Sequence, residues 1–224
     1  MQKNVVQQVE AYVKKVMKDE AAHDFKHVDR VRNWAVQIAG GEGYEDIELV
    51  EVTALLHDIG LPYVEERRLH GQKGAEIAGR FLRGKNLMPE EKIKEIINAI
   101  RHHSKKRKSS GKLLDILCDA DTLDALGAVG IMRAFTSKHH KLEYIPDNIK
   151  GESWGRSTKE YDELFRMGLE AGDTIIDQIN LQIHYYGNLS TETAKRIGGP
   201  LERYMKDFVI QLESEIESGR KHKS

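Results

Sequence analysis

In Thr53-Ala54-Leu55-Leu56-His57-Asp58-Ile59-Gly60, an apolar helical run ends in an adjacent histidine and aspartate. Imidazole nitrogen and carboxylate oxygen are both ligands for divalent metals. His27 shares a helical face with Val31, Trp34 and Ile38 by i, i+4, i+7, i+11 spacing. Asp121 shares a face with Leu114 and Leu117, and Asp124 follows it at i+3. His27, His57, Asp58 and Asp121 are therefore expected to point inward from three helices. A buried carboxylate without a partner is costly. One divalent cation would neutralise both aspartates and satisfy both imidazoles. With no thiolate in the set, Mn, Fe, Co, Ni, Zn or Mg all suit it, as one ion or two. Such an ion makes hydroxide available near neutral pH.

The elements that must position these groups read as helices. Val5, Val6, Val9, Tyr12, Val13, Val16 and Met17 follow the 3.6-residue period over 4–18. A second helix starts at Asp24 as N-cap and stops at Gly40-Gly41. A third runs from near Asp46 to near Gly60, with Pro62 beyond. A fourth covers about 71–83 and closes at Gly84, with His70 in the loop before it. A fifth has Pro89 in its first turn, followed by Glu90 and Glu91, and places Ile93, Ile96, Ile97 and Ile100 on its core side. A sixth spans roughly 112–135. The stretch 136–158 has no clean period, so it is either a lid or locally ordered. Two long helices are expected after it, one carrying Leu164 to Ile183 and the other Ile197 to Leu212. Gly198-Gly199-Pro200 is expected to bend or interrupt the latter, and the end, SGRKHKS, to be disordered. No segment alternates with period two. The expected fold class is all-α.

Bulk composition narrows the function. The chain has 224 residues, 39% of them hydrophobic, which suffices for one generous domain or two small ones. A formal net charge of -1 gives no global field to recruit nucleic acid or membrane. The lone Cys118 excludes an intrachain disulfide and reads as a small buried hydrophobe. No apolar run approaches the ~20 residues of a membrane span, and MQKNVVQQVEAYVKK lacks the apolar core of a signal peptide. A cytoplasmic protein is expected.

The order of His27 in "HDFKHVDRV", His57-Asp58 in "ALLHDIG" and Asp121 in "LCDADTLDALGAVGIMRAF" resembles the HD superfamily of metal-dependent phosphohydrolases. "HGQKGAEIA", "IRHHS", "DADTLDALGAVGI" and "STETAKRIGGPLERYMKDF" are similar to its small stand-alone, YedJ-like members, and the likeness covers most of residues 20–215. The resemblance implies an HD-type helical bundle with additional C-terminal helices packed on it. It implies a single domain over 1–224: a metal-binding core at about 20–135, the irregular segment 136–158, and C-terminal helices over 159–217. It also implies His27, His57, Asp58 and Asp121 as metal ligands. Some branches hold a second metal through two more histidines, and His70 and His103 stand at suitable places, as ligands or phosphate contacts. His102 points about a hundred degrees away from His103 and is the weaker candidate.

Hydrolysis would then use Asp58 to orient the metal-bound water or take its proton. Asp124 would orient a histidine. Positive charge for the phosphate would come from Arg30, one turn beyond His27, with Lys26, Lys73 and Arg133 as further substrate-binding candidates. The run Lys105-Lys106-Arg107-Lys108 reads as a solvated loop, with a basic rim that draws in nucleotide phosphates as the alternative. His139-His140 reads as loop. "HDIGLPYVEE" lacks the Glu-Asp pair of guanosine-tetraphosphate hydrolases. Leu61 stands where the cyclic-di-GMP branch has Lys, and no Gly-Tyr-Pro occurs. The expected partner is a small phosphorylated molecule, foremost a nucleotide. Nucleic acid and membrane are not expected, and a homodimer is compatible with the sequence. Two other readings are carried forward: an HD-type di-iron oxygenase, and a non-catalytic nucleotide or nucleic-acid binding module.

Overall fold

The computed structural model describes residues 4–17, 24–104 and 111–221. Ten α-helices and no strand ladder occur among them, so the fold is all-α. The charge run 105–108 lies outside the described residues. The chain divides into two compact units, Met1–Asp124 with Ser190–Ala194, and Ala125–Leu189 with Lys195–Ser224.

The first unit holds α1 (Val5–Val16), α2 (Phe25–Gly41), α3 (Ile47–Leu56), α4 (His70–Gly84), α5 (Glu90–His102) and α6 (Lys112–Asp124). Short side chains start three of them. Asn4, Asp24 and Asp46 accept hydrogen bonds from the backbone N–H three residues on, the one at Asn4 closing a capping box with Gln7. Seven of the ten residues of α3 are buried, as befits a helix surrounded by others. It packs against α1, α2, α5 and α6, while α2 also packs on α6 and α4 on α5. The α4–α5 pair is close because α4 presents Gly71, Gly74 and Gly79 to it. A Cβ on these would stand 3.0 Å from the Ile100 carbonyl oxygen, 3.2 Å from Ile100 Cγ2 and 2.6 Å from Ile97 Cδ1.

The second unit contains α7 (Gly127–Ser137), α8 (Thr158–Arg166), α9 (Ile175–Tyr185) and most of α10 (Glu192–Lys221), whose first turn belongs to the first unit. Here the sequence expectations need correction. The helix expected over 112–135 is two helices. Leu126 is extended (φ -104°, ψ 167°) and Gly127 has φ +67°, which breaks the hydrogen-bond ladder between α6 and α7. The helix expected from Leu164 to Ile183 is likewise divided: α8 ends before Gly168 at φ +73°, and Thr174 caps α9 through a box with Asp177. In contrast, α10 runs unbroken for 30 residues with Pro200 inside it. Gly199 has no Cβ to crowd the proline ring. That helix continues to Lys221, so the expected disorder does not begin at Ser218; residues 222–224 lie outside the described part.

The irregular stretch between α7 and α8 is ordered around one carboxylate. Asp177 Oδ1 accepts from Ser153 N (2.9 Å) and Ser153 Oγ (2.6 Å), and Oδ2 from Thr174 N (3.2 Å) and Thr174 Oγ1 (2.7 Å). All three residues are buried.

Candidate metal centre

Five helices of the first unit each deliver a side chain to one place. His27 sits in the first turn of α2, with Asp24 capping its backbone N–H. His57 caps the C-terminus of α3 and Asp58 follows it. His70 is the first residue of α4 rather than part of the loop before it. His103 ends α5. Asp121 and Asp124 lie on the last turn of α6. Exposure is 1% for His27, 0% for His57, 4% for Asp58, and 7% for both His70 and His103. The Asp121 side chain is 37% exposed and forms the open edge.

Each imidazole is fixed through Nδ1. His57 Nδ1 donates to the Ala54 carbonyl (2.7 Å), His70 Nδ1 to that of Arg67 (2.5 Å) and His103 Nδ1 to that of Ile100 (2.7 Å). His27 Nδ1 pairs with Asp124 Oδ2 at 2.7 Å. A carbonyl or carboxylate oxygen only accepts, so Nδ1 carries the proton and a neutral ring offers its lone pair at Nε2.

The four Nε2 atoms face the two other carboxylates. Asp58 Oδ2 lies 3.5 Å from His27 Nε2 and 3.5 Å from His57 Nε2. Its other oxygen, Oδ1, lies 3.3 Å from His70 Nε2 and 3.5 Å from His103 Nε2. Asp121 Oδ1 is 3.5 Å from His27 Nε2. Ligand atoms of His27, His57 and Asp121, and those of His57, Asp58 and His103, lie within 4.8 Å of one another.

These contacts demand positive charge. Lone pairs of four neutral imidazoles directed at carboxylate oxygens repel them unless protons or a cation stand between. His57 Nε2 is buried and meets no hydrogen-bond partner among the described residues beyond the 3.5 Å approach to Asp58 Oδ2, as a metal-ligating nitrogen would. The residues therefore fit a divalent ion: imidazole and carboxylate donors, Nδ1 atoms fixed by outer oxygens, and open distances around Nε2. The electrostatics agree. Burial works against a charged His57, yet Asp58 outweighs it and the imidazole is pushed up to about 9. His27 and His70 are raised despite burial, by Asp124 and Asp58 for the first and by Asp58 for the second. Burial raises Asp121, but the His57 and His27 imidazoles prevail and hold its carboxyl below its usual range.

The remaining candidates are distributed unevenly. Asp124 is 1% exposed and joins His27 to Arg30, whose Nε (2.6 Å) and Nη2 (3.1 Å) both donate to it. Lys26 pairs with Asp24 at 3.1 Å and is 79% exposed, and Lys73 reaches Glu76 at 3.4 Å. Arg133 lies on α7, in the second unit. His102 Nδ1 donates to the Asn98 carbonyl (2.9 Å) on its own helix. Cys118 is buried, its Sγ 3.3 Å from the His103 carbonyl oxygen. Sequence reasoning missed Asp119, which is fully buried on α6. The one signal for it was a further aspartate ahead of Asp121 and Asp124 in "DADTLD", between Cys118 and Ala120.

Residues 24–126 match the family model described as HD domain. The chain is similar to the uncharacterized protein YpgQ of Bacillus subtilis strain 168, at 29% identity over 221 residues, 94% of this chain and 93% of YpgQ. Among solved structures it is similar to a predicted HD superfamily hydrolase from an uncultured Thermotogales bacterium, with 26% identity, 95% and 93% of the two chains covered and a TM-score of 0.65. It is also similar to Bacillus subtilis YpgQ in complex with ADP, with 25% identity, 94% and 97% coverage and a TM-score of 0.63.

Proposed function

Through its residues 24–126 this chain belongs to the HD superfamily, and we propose that it is a metal-dependent phosphohydrolase whose substrate is a nucleotide or a similar small phosphorylated molecule. The observation that carries this reading is the position of Asp58, one oxygen directed at His27 and His57 and the other at His70 and His103. The nucleotide is supported by the ADP bound to YpgQ.

In this reading His27, His57, Asp58 and Asp121 would hold one ion, and Asp58, His70 and His103 would hold a second. A bound divalent ion lowers the pKa of its water from about 15.7 toward about 7 and polarises a phosphoryl oxygen. Asp58 lies among all four imidazoles, where it orients the attacking water. The exposed side of Asp121 marks the approach for the phosphate. Asp124 fixes the proton on His27 Nδ1, and Arg30 holds Asp124 in turn with two of its five donors. The other donors of Arg30, whose side chain is 30% exposed, would supply charge for the phosphoryl oxygens. Lys26 and Lys73 act as rim charges rather than contacts in the cluster.

The test is turnover of metal-stripped protein on a nucleotide and phosphate-ester panel, with Mn, Mg, Co and Ni added separately. Asp58→Ala should abolish both ion binding and release of phosphate or pyrophosphate. Turnover that survives this substitution would remove Asp58 from the proposal. One observation also favours a second reading, an iron oxygenase: His70 and His103 both stand at Asp58, as a paired iron site requires. Two irons in the purified protein with oxygen consumption would select it.

A further inference from the structure

Asp119 is a buried carboxylate on the ligand-bearing helix that the cluster does not use. It stands two residues before Asp121 on α6, about 200° around the helix, and so faces away from it. A segment 71 and 72 positions further along the chain satisfies it. Ser190 N donates to Oδ1 (3.0 Å) and Oδ2 (3.1 Å), and Thr191 donates to Oδ2 through N (2.8 Å) and Oγ1 (2.7 Å). Thr191 Oγ1 also accepts from Ala194 N (3.2 Å), as an N-cap of α10 does. The next residues grip a second ligand-bearing helix. Thr193 N donates to Glu42 Oε1 (2.9 Å) at the end of α2, and a Cβ on Gly41 would meet Thr193 Oγ1 at 2.4 Å. The segment lies outside the matched residues 24–126, yet it belongs to the first compact unit.

We propose that Ser190–Ala194 is a clamp that completes the metal-binding unit, and that Asp119 is its positioning residue. Holding the back of α6 fixes the rotation of the helix. At a side-chain radius of about 6 Å, a 20° rotation would carry the Asp121 carboxylate by roughly 2 Å, enough to take it from His27. The same rotation would part Asp124 from His27 Nδ1. The clamp joins α6 to α2, the two helices whose side chains meet there. This inference rests on the reading that the cluster holds a divalent ion.

Full-length wild type, Asp119→Asn, Thr191→Val, Thr191→Ser and Val13→Ala are titrated with Co(II), followed by visible absorption, and with Mn(II) by equilibrium dialysis. The temperature is chosen so that circular dichroism shows each variant folded. Val13 is buried on α1, which carries no ligand, and its substitution controls for lost stability alone. Asp119→Asn and Thr191→Val should weaken ion binding about tenfold or more. Thr191→Ser, which keeps the hydroxyl, should restore it to within about twofold, and Val13→Ala should leave it unchanged. Unchanged affinity in Asp119→Asn and Thr191→Val would overturn the clamp as a positioning device, whatever their loss in Tm. Should Asp119→Asn not fold, the Thr191→Val and Thr191→Ser pair decides. Failure of the wild type itself to bind either ion would overturn the metal reading instead.

Discussion

The Nε2 atoms of His70 and His103 face each other at 3.0 Å, from helices whose ends lie 33 residues apart. Both rings hold their Nδ1 proton on a backbone carbonyl, so two lone pairs would meet unless a proton or a cation intervened. Asp58 Oδ1 completes the triangle at 3.3 and 3.5 Å. This arrangement suits a second ion. His70→Ala and His103→Ala should each lower the bound metal by one equivalent while the His27 and His57 side retains its own. Equilibrium dialysis with elemental analysis measures the ratio. An unchanged ratio would show that the second pair serves another purpose.

Arg30 and Asp124 form one unit with His27. Asp124→Asn leaves one acceptor oxygen where Asp124 offers two, to His27 Nδ1 and to the Arg30 fork, and should weaken ion binding by about 10–100-fold. Arg30→Met removes the fork that holds Asp124. If Arg30 acts only through Asp124, the double variant should bind the ion no worse than Asp124→Asn alone, since coupled residues are not additive. If Arg30 also meets the phosphate, Arg30→Met should raise KM beyond any loss of metal. A double-mutant cycle on Kd, with KM measured at saturating ion, separates the two roles.

The helices and the convergence of His27, His57, Asp58 and Asp121 were legible because both rest on periodic or local signals. Asp24 and Asp46 announce helix starts, and His27, His57, Asp58 and Asp121 lie on faces that apolar neighbours mark as buried. What could not be read depends on backbone angles or distant partners. Gly127 and Gly168 break helices through positive φ, whereas Gly198-Gly199-Pro200, a stronger breaker by composition, lies inside an unbroken helix. Asp119 answers to backbone amides more than seventy residues away, and no spacing rule reaches that far. Lys26 and Lys73 were candidates by proximity in sequence alone, and each has an acidic neighbour on its own helix turn.

Metal binding should release protons. Burial disfavours the charged imidazoles, but Asp58 pushes His57 up to about 9, and His27 and His70 are raised as well. A raised value means that the metal-free cluster keeps protons at pH 7 that an ion must displace. Affinity should therefore rise with pH through the interval from about 6.5 to about 9. Calorimetric titration in two buffers of different ionisation enthalpy at pH 7 counts the protons. About one or more per chain is expected, and none would mean that the imidazoles are neutral before the ion arrives.

Gly60, two residues after Asp58, is needed for space rather than for conformation. Its φ of -82° suits any residue. A Cβ there would lie 2.2 Å from the His70 carbonyl oxygen and 2.5 Å from Gly74 N, both backbone atoms of α4. Gly60→Ala must push α4 away from Asp58 and carry His70 with it. It should destabilise the fold by about 1–3 kcal/mol, as overpacking does, and weaken the second ion more than the first. Gly40 supplies the contrast: no atom lies within 4 Å of a Cβ built there, so Gly40→Ala should stabilise α2 by up to about 1 kcal/mol. Urea unfolding of both variants, followed by ion titration, checks the pair. Equal effects at the two glycines would show that α3 and α4 are not held together by contact at Gly60.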